Sequence, residues 1–203
     1  SSFACVGDDV VGAIAREGIW CLGLFQKNGS IQIIDQPFND FSGLNSYQNR
    51  LVAISSSSVI SEGIFEIDLL DKSWEHTPAS SLNLDTKKIS IGESFWFIGS
   101  NEENVHSWYY PPLNSQIEPP PLLVKSHSGP TGMARCGLDL EVQFWTSRGW
   151  AVVDVNYRGS TGFGREYRER LRGNWGLIDV NDCTMAAQSL IVSGKADKNR
   201  IAI

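Results

Sequence analysis

Along the first half of the chain, apolar positions fall in short runs or alternate with polar ones, and no helical spacing is sustained. Runs at 10–15, 19–25, 31–34, 51–54, 64–70, 88–91 and 95–98 are each long enough for one strand. Polar turns such as Lys27-Asn28-Gly29-Ser30 and Gly99-Ser100-Asn101 separate them. This pattern predicts an all-β region of the sandwich, barrel or propeller kind. Residues 18–34 and 63–75 each read as a strand, a polar turn and a second extended segment. Their starts lie 45 residues apart, close to the ~40–45-residue repeat of some propeller blades.

Beyond a proline-rich stretch, Pro111-Pro112 to Pro119-Pro120-Pro121, the pattern changes. Proline fixes φ and removes a donor, so the stretch reads as an extended linker. A short apolar strand at 122–125 follows. Leu138, Val142 and Trp145 then form a helical face stopped by Gly149, and a nearly continuous apolar strand spans 150–155. Val180, Cys183, Ala187, Leu190 and Ile191 form a second helical face that ends at Gly194, and 201–203 opens a third strand. Strands alternating with helices predict a parallel sheet.

Charge follows the same division. Residues 1–110 hold 6 Lys+Arg against 14 Asp+Glu, and residues 111–203 hold 11 against 9, which together give the net −6. The acidic half lacks the basic footprint of a nucleic-acid binder. No apolar run approaches the ~20 residues of a membrane span, and Ser1 to Cys5 carry no signal-peptide pattern. Cys5, Cys21, Cys136 and Cys183 form no C-x-x-C and have no zinc-ligand spacing with His, which predicts free thiols in a reducing, cytoplasmic compartment.

Three loops are candidates for chemistry. His127-Ser128-Gly129-Pro130-Thr131-Gly132 directly follows a predicted strand. A glycine there lets a carbonyl oxygen approach backbone N–H groups, as in an oxyanion hole; an ordinary Gly-Pro turn is the competing account. Residues 156–164 carry glycines spaced G-x-x-G-x-G, which match neither the dinucleotide nor the P-loop fingerprint and predict a conformationally demanding loop. Residues 165–172 interleave Arg with Glu and read as a solvated helix face, with a substrate-carboxylate site as the alternative. His76 and His106 are expected at the surface or in turns, and no H-E-x-x-H or G-x-S-x-G occurs.

The segments at 121–130 (PLLVKSHSGP), 157–164 (YRGSTGFG), 173–176 (GNWG), 179–182 (DVND), 194–197 (GKAD) and 200–203 (RIAI) resemble, in order and spacing, the prolyl oligopeptidase family of serine peptidases. The likeness is greatest to the acylaminoacyl-peptidase and dipeptidyl-peptidase branch. Residues 105–112 (VHSWYYPP) resemble the strand leading into that family's hydrolase domain. The resemblance implies part of a β-propeller, about two blades, over 1–104. A linker and lead-in strand would occupy 105–121, and the N-terminal half of an α/β-hydrolase domain 122–203.

By position, Gly129 corresponds to the family residue whose N–H forms half of the oxyanion hole. His127 stands where relatives place a His or an oxyanion-stabilising Tyr. His127 and Arg158 are the expected substrate-binding residues. Ser128 replaces a glycine usual in the family, and Lys198 a proline. The implied reaction is hydrolysis of short peptides or acyl-peptides through an acyl-serine, with no metal or organic cofactor. The Ser, Asp and His of the triad are expected after Ile203, with a G-x-S-x-G elbow within about six residues. The 203 residues alone are therefore expected to be inactive and to need the remainder of the polypeptide or a complementary fragment. A non-catalytic interaction module, or an esterase with the same triad, are the alternatives.

Overall fold

The computed structural model describes residues 2–81, 84–114 and 119–203. Two compact units result: Ser1–Asn83 with Arg135–Leu138, and Leu84–Ala134 with Asp139–Ile203.

The first unit holds two four-stranded antiparallel sheets, each a meander in chain order. One contains β1 (Phe3–Val6), β2 (Asp9–Arg16), β3 (Ile19–Phe25) and β4 (Ile31–Ile33); the other contains β5 (Asp40–Tyr47), β6 (Arg50–Ser56), β7 (Gly63–Asp68) and β8 (Trp74–Pro78). Each sheet has the form of a propeller blade. The repeat read from the sequence falls on their third and fourth strands: β3 and β7 begin at Ile19 and Gly63, 44 residues apart. Glu17 and Gly18, both at positive φ, form the two-residue turn that closes the β2–β3 hairpin. Val11 and Leu22 of one sheet share a buried cluster with Phe41, Leu51, Phe65 and Ile67 of the other.

Residues 135–138 belong to this unit through specific bonds. Arg135 pairs with Asp40, and its guanidinium lies 5.3 Å from the Trp20 ring centroid. Leu138 N–H donates to Ser57 O at 2.8 Å, and a Cβ on Gly137 would meet Ser56 Oγ at 2.6 Å.

Strands β1 and β5 had no sequence signal, and β8 only the extended segment that ends the 63–75 stretch. β1 is short. β5 is interrupted by a register shift between Ser42 and Asn45, with Gly43 at φ 62°. β8 is polar because it is an outer strand. Conversely, the run at 88–91 is no strand: a 3-10 turn at Thr86–Lys88 occupies its start.

The second unit is built on an open five-stranded sheet ordered β13-β11-β12-β10-β9. The strands are β9 (Glu93–Ile98), β10 (Asn104–Tyr110), β11 (Leu122–Ser126), β12 (Ala151–Asn156) and β13 (Ile201–Ala202). β11 runs parallel to β12 and β13, whereas β10 is antiparallel to both β12 and β9. The unit boundary therefore falls at 83/84 instead of 104/105, because β9 pairs with β10 and not with the first unit's sheets. The lead-in strand expected at the start of 105–121 is β10, paired on both sides by β12 and β9, and residues 115–118 of the expected linker lie outside the described residues.

Helix α1 (Leu140–Thr146) joins β11 to β12, and α2 (Gly164–Glu169) and α3 (Ile178–Val192) lie between β12 and β13. One face of the sheet packs Val105, Val124, Val153 and Val155 against Cys183, Ala186 and Leu190 of α3. Two expected helical positions are corrected. Leu138 precedes α1, whose N-cap is Asp139, accepting from Glu141 N–H at 2.8 Å. Val180 is 59% exposed, and Asp182 takes the inward place in α3. His106, expected at the surface, is fully buried on β10. No helix among the described residues is long and apolar enough to cross a membrane.

Candidate functional site

Parallel strands deliver their loops at their carboxyl ends, where open α/β sheets place ligands. The loop after β11 begins at His127 and the loop after β12 at Tyr157, so both candidate loops emerge on the same side. Thr161 N–H donates to Gly132 O at 2.9 Å and ties them together.

Gly129 lies at φ +70° and is exposed, with open space where a Cβ would stand. Its N–H donates to no group among the described residues. The loop then curls tightly, since a Cβ on Gly132 would meet His127 Nδ1 at 2.7 Å and Ser128 O at 2.8 Å.

His127 stacks on the Tyr157 ring with centroids 4.2 Å apart. Its Nε2 lies 2.7 Å from Ser160 Oγ. The Ser160 hydroxyl itself donates to Tyr157 O at 2.7 Å. Nε2–H is accordingly the donor to Ser160, and Nδ1 lies 3.1 Å from the Tyr157 oxygen. The one proton of that hydroxyl goes to Gly129 O, its nearest acceptor, with His127 O 3.2 Å away. The phenol thus holds the far end of the His127–Gly129 segment by this bond and the near end by stacking on the His127 ring. Burial lowers the pKa of His127, opposed by its contact with Ser128 O. Burial, with Asp179 and Cys183 nearby, pushes Tyr157 up to about 12. At neutral pH both groups are uncharged.

A cleft of about 310 Å³ opens here, lined by Ser126, His127, Gly129, Tyr157, Trp175 and Asp179 among others. Of the residues expected at the site, His127 and Gly129 are together on it. Arg158, expected to bind substrate, is fully buried and does not line this cleft. Its Nε and Nη2 bind Asp182 at 3.0 and 2.7 Å, Nη1 binds Ser100 O and Glu103, and Nη2 also binds Ser100 Oγ. The residue positions the loop from beneath. His76 lies on β8 of the first unit, with its ring 4.8 Å from that of Phe38.

The sequence by itself assigns no role to Tyr157, Ser160 or Trp175. Tyr157 and Ser160 sit inside the glycine-rich loop, whose spacing marks a constrained backbone without naming the partner it is shaped for. Gly159 shows the constraint, at φ +115° with a Cβ position 2.5 Å from Leu171 Cδ2. No group of three or more His, Cys, Asp or Glu able to hold a metal occurs among the described residues, and all four cysteines are free thiols.

Two blade-like sheets are thus followed in the chain by a mixed sheet with a glycine loop at its carboxyl edge. Residues 137–203 match the model of the prolyl oligopeptidase family, so the resemblance read from the motifs is borne out. A Mycobacterium tuberculosis puromycin-hydrolyzing peptidase superposes with a TM-score of 0.92 at 32% identity, covering 98% of this chain and 32% of that one. The Pyrococcus horikoshii acylaminoacyl peptidase gives a TM-score of 0.75 at 25% identity over 99% of this chain and 32% of that one. Among curated proteins, the acylamino-acid-releasing enzyme of Arabidopsis thaliana is 35% identical over 83 residues, 41% of this chain and 11% of that protein. An uncharacterized peptidase of Bacillus subtilis is 26% identical over 209 residues, 93% of this chain and 32% of its own. The chain spans about a third or less of the length of these relatives.

Proposed function

We propose that this chain forms two propeller blades and the first part of an α/β-hydrolase domain in a cytoplasmic serine-type peptidase acting on short peptides or acyl-peptides. The observation that carries this reading is the exposed Gly129 N–H, held at the carboxyl end of β11 by the Tyr157 hydroxyl. A preorganised N–H aimed at a developing oxyanion is worth roughly 10²–10³ in rate. His127, neutral and hydrogen-bonded to Ser160, supports the loop and borders the bound acyl group. The nucleophile, its base and the acid are proposed to come from the remainder of the polypeptide, which relatives about three times as long accommodate. The four free thiols support the reducing compartment.

The test uses the native gene product. A fluorophosphonate probe should label it, and parallel peptide and ester assays should show peptide-bond turnover. Tyr157→Phe should lower kcat about 10- to 100-fold with KM nearly unchanged, because a loop misplaced by about 1 Å loses transition-state contacts selectively. Absence of labelling would favour a non-catalytic interaction module, and turnover of esters alone an esterase. Equal losses in kcat and thermal stability for Tyr157→Phe would make Tyr157 merely structural.

A further inference from the structure

A second cleft lies beside the first and has a different lining. It measures about 440 Å³, within the ~300–1,000 Å³ of small-ligand sites. It starts at Pro130 and Thr131, the two residues after Gly129, and shares Trp175 with the first cleft. Leu171, Gly159 and Pro130 supply apolar surface, and Leu171 is itself buried against Gly159. Trp175, about half exposed, is held edge-on to Tyr157 with centroids 6.0 Å apart.

The charges on this cleft do not balance. Arg168, Glu169 and Arg172 line it. Glu169 is committed to Arg172 at 2.8 Å. Arg168 makes no ion pair or side-chain hydrogen bond among the described residues, although Glu166 and Glu169 are close in sequence: Glu166 is bound to Arg170 at 2.9 Å instead. One guanidinium is therefore left unpaired over an apolar cleft that begins one residue from the exposed amide. A planar guanidinium prefers a carboxylate, which it can bind through two parallel N–H donors.

We propose that this cleft is a specificity subsite for a carboxylate-bearing residue of the substrate, with Arg168 binding the carboxylate and Leu171, Pro130 and Trp175 packing its apolar part. The proposal rests on the peptidase reading for its place next to the scissile carbonyl. The carboxylate can be an acidic side chain or the free C-terminus of a short peptide, since both present the same group to Arg168.

The experiment uses the native gene product and matched peptide sets, Glu against Gln at each position flanking the cleaved bond, and C-terminal acid against C-terminal amide. The wild type should prefer one acidic member by about tenfold in kcat/KM, the size of one charge-assisted contact. The Glu/Gln pair and the acid/amide pair identify which source of carboxylate is read. Arg168→Gln should abolish the preference by lowering kcat/KM for the acidic peptide to that of its neutral counterpart. Arg168→Lys should restore part of it, and Arg168→Glu should favour Lys-bearing peptides. An acid preference absent from the wild type, or unchanged in Arg168→Gln, overturns the proposal. If no peptide is cleaved and no fluorophosphonate labelling occurs, the peptidase reading fails and the cleft is judged by equilibrium binding. N-acetyl-Phe-Glu binding several-fold more tightly than its fully amidated Gln counterpart, and losing that margin in Arg168→Gln, upholds a carboxylate site. Equal affinities, or no binding of either, reject it.

Discussion

Two buried residues on one face of the second unit's sheet respond to pH in opposite directions. Asp154 on β12, 7% exposed, has one carboxylate oxygen with no partner. Burial raises its pKa from 3.8 to about 6; Lys125, with Nζ 4.0 Å away, opposes this, and Asp139 and Glu141 add to it. His106 on β10 bonds Asn156 Nδ2 at 3.1 Å, and burial lowers its pKa from 6.5 to about 4. Folded Asp154 keeps a proton that the unfolded chain has already released, so its contribution is favourable below about pH 4 and is lost as pH rises through about 6. Folded His106 refuses a proton that the unfolded chain accepts, so its contribution is intact above 6.5 and is lost as pH falls through about 4. Between these limits the two slopes offset each other. Asp154→Asn should therefore gain about 1–3 kcal/mol at pH 7 and expose the His106 slope, with stability falling steadily from pH 6.5 to 4. Urea unfolding at half-unit pH steps reads this directly. A variant with the wild-type pH profile would mean that Asp154 is solvated. Neither residue could be found from sequence: Asp154 interrupts an apolar run by one position, and His106 sits in a segment read as a lead-in strand, where nothing local announces burial on both sides.

The element most dependent on a single contact is α3. Its Asp182 accepts from Arg158 N–H at 2.9 Å as well as from the guanidinium, so the helix is fastened to the loop after β12 by a wholly buried ion pair. Removing one partner of such a pair strands a charge in the interior. Arg158→Met is expected to cost about 3–5 kcal/mol, and Arg158→Met with Asp182→Leu to recover much of that loss. Thermal and urea unfolding of both variants would check it; a single variant within 1 kcal/mol of wild type would mean that water reaches the pair. The same contact explains what the pattern of α3 hid. Apolar periodicity located Cys183, Ala187 and Leu190 correctly, but it ranked Val180 above Asp182, because a hydrophobic template cannot see a carboxylate buried by its counter-ion. Strands followed the same logic. Runs with clean alternation, such as β3 and β7, were legible. The bulged β5 was not, and the polar outer strand β8 showed only as an extended segment, since one breaks the period of two and the other has only one neighbour to pack on. Around the site, glycine spacing exposed the loops, whereas the Tyr157–Gly129 bracket joins residues 28 apart and exists only once the two parallel strands are side by side.

At the scale of the whole molecule, the largest unsatisfied feature is the outer face of the β1–β4 sheet. Register places Phe3, Val10, Ile19 and Phe25 on that face, with Ile31 and Ile33 of β4 continuing it. All six are at least 37% exposed, while Leu22 and Val11 on the opposite face are completely buried. Glycines tighten the surface instead of relieving it: a Cβ on Gly23 would lie 2.4 Å from Ile14 Cδ1 and 2.7 Å from Ile31 Cγ2, so the side chains close over the backbone. A sheet apolar on both sides is shaped to be covered on both, and a contiguous patch of this kind drives association when it is left in water. The 203-residue chain, purified at micromolar concentration, is expected to self-associate and to bind a hydrophobic dye. Replacing Phe25 and Ile33 by Lys should reduce both effects with little change in unfolding midpoint, because neither side chain belongs to the buried cluster. Sedimentation velocity across a tenfold concentration range separates the outcomes. A wild-type chain that stays monomeric and dark to the dye would show that the face is too dispersed to act as a patch, and the blade reading of the first unit would then lose its physical motive for a neighbouring sheet.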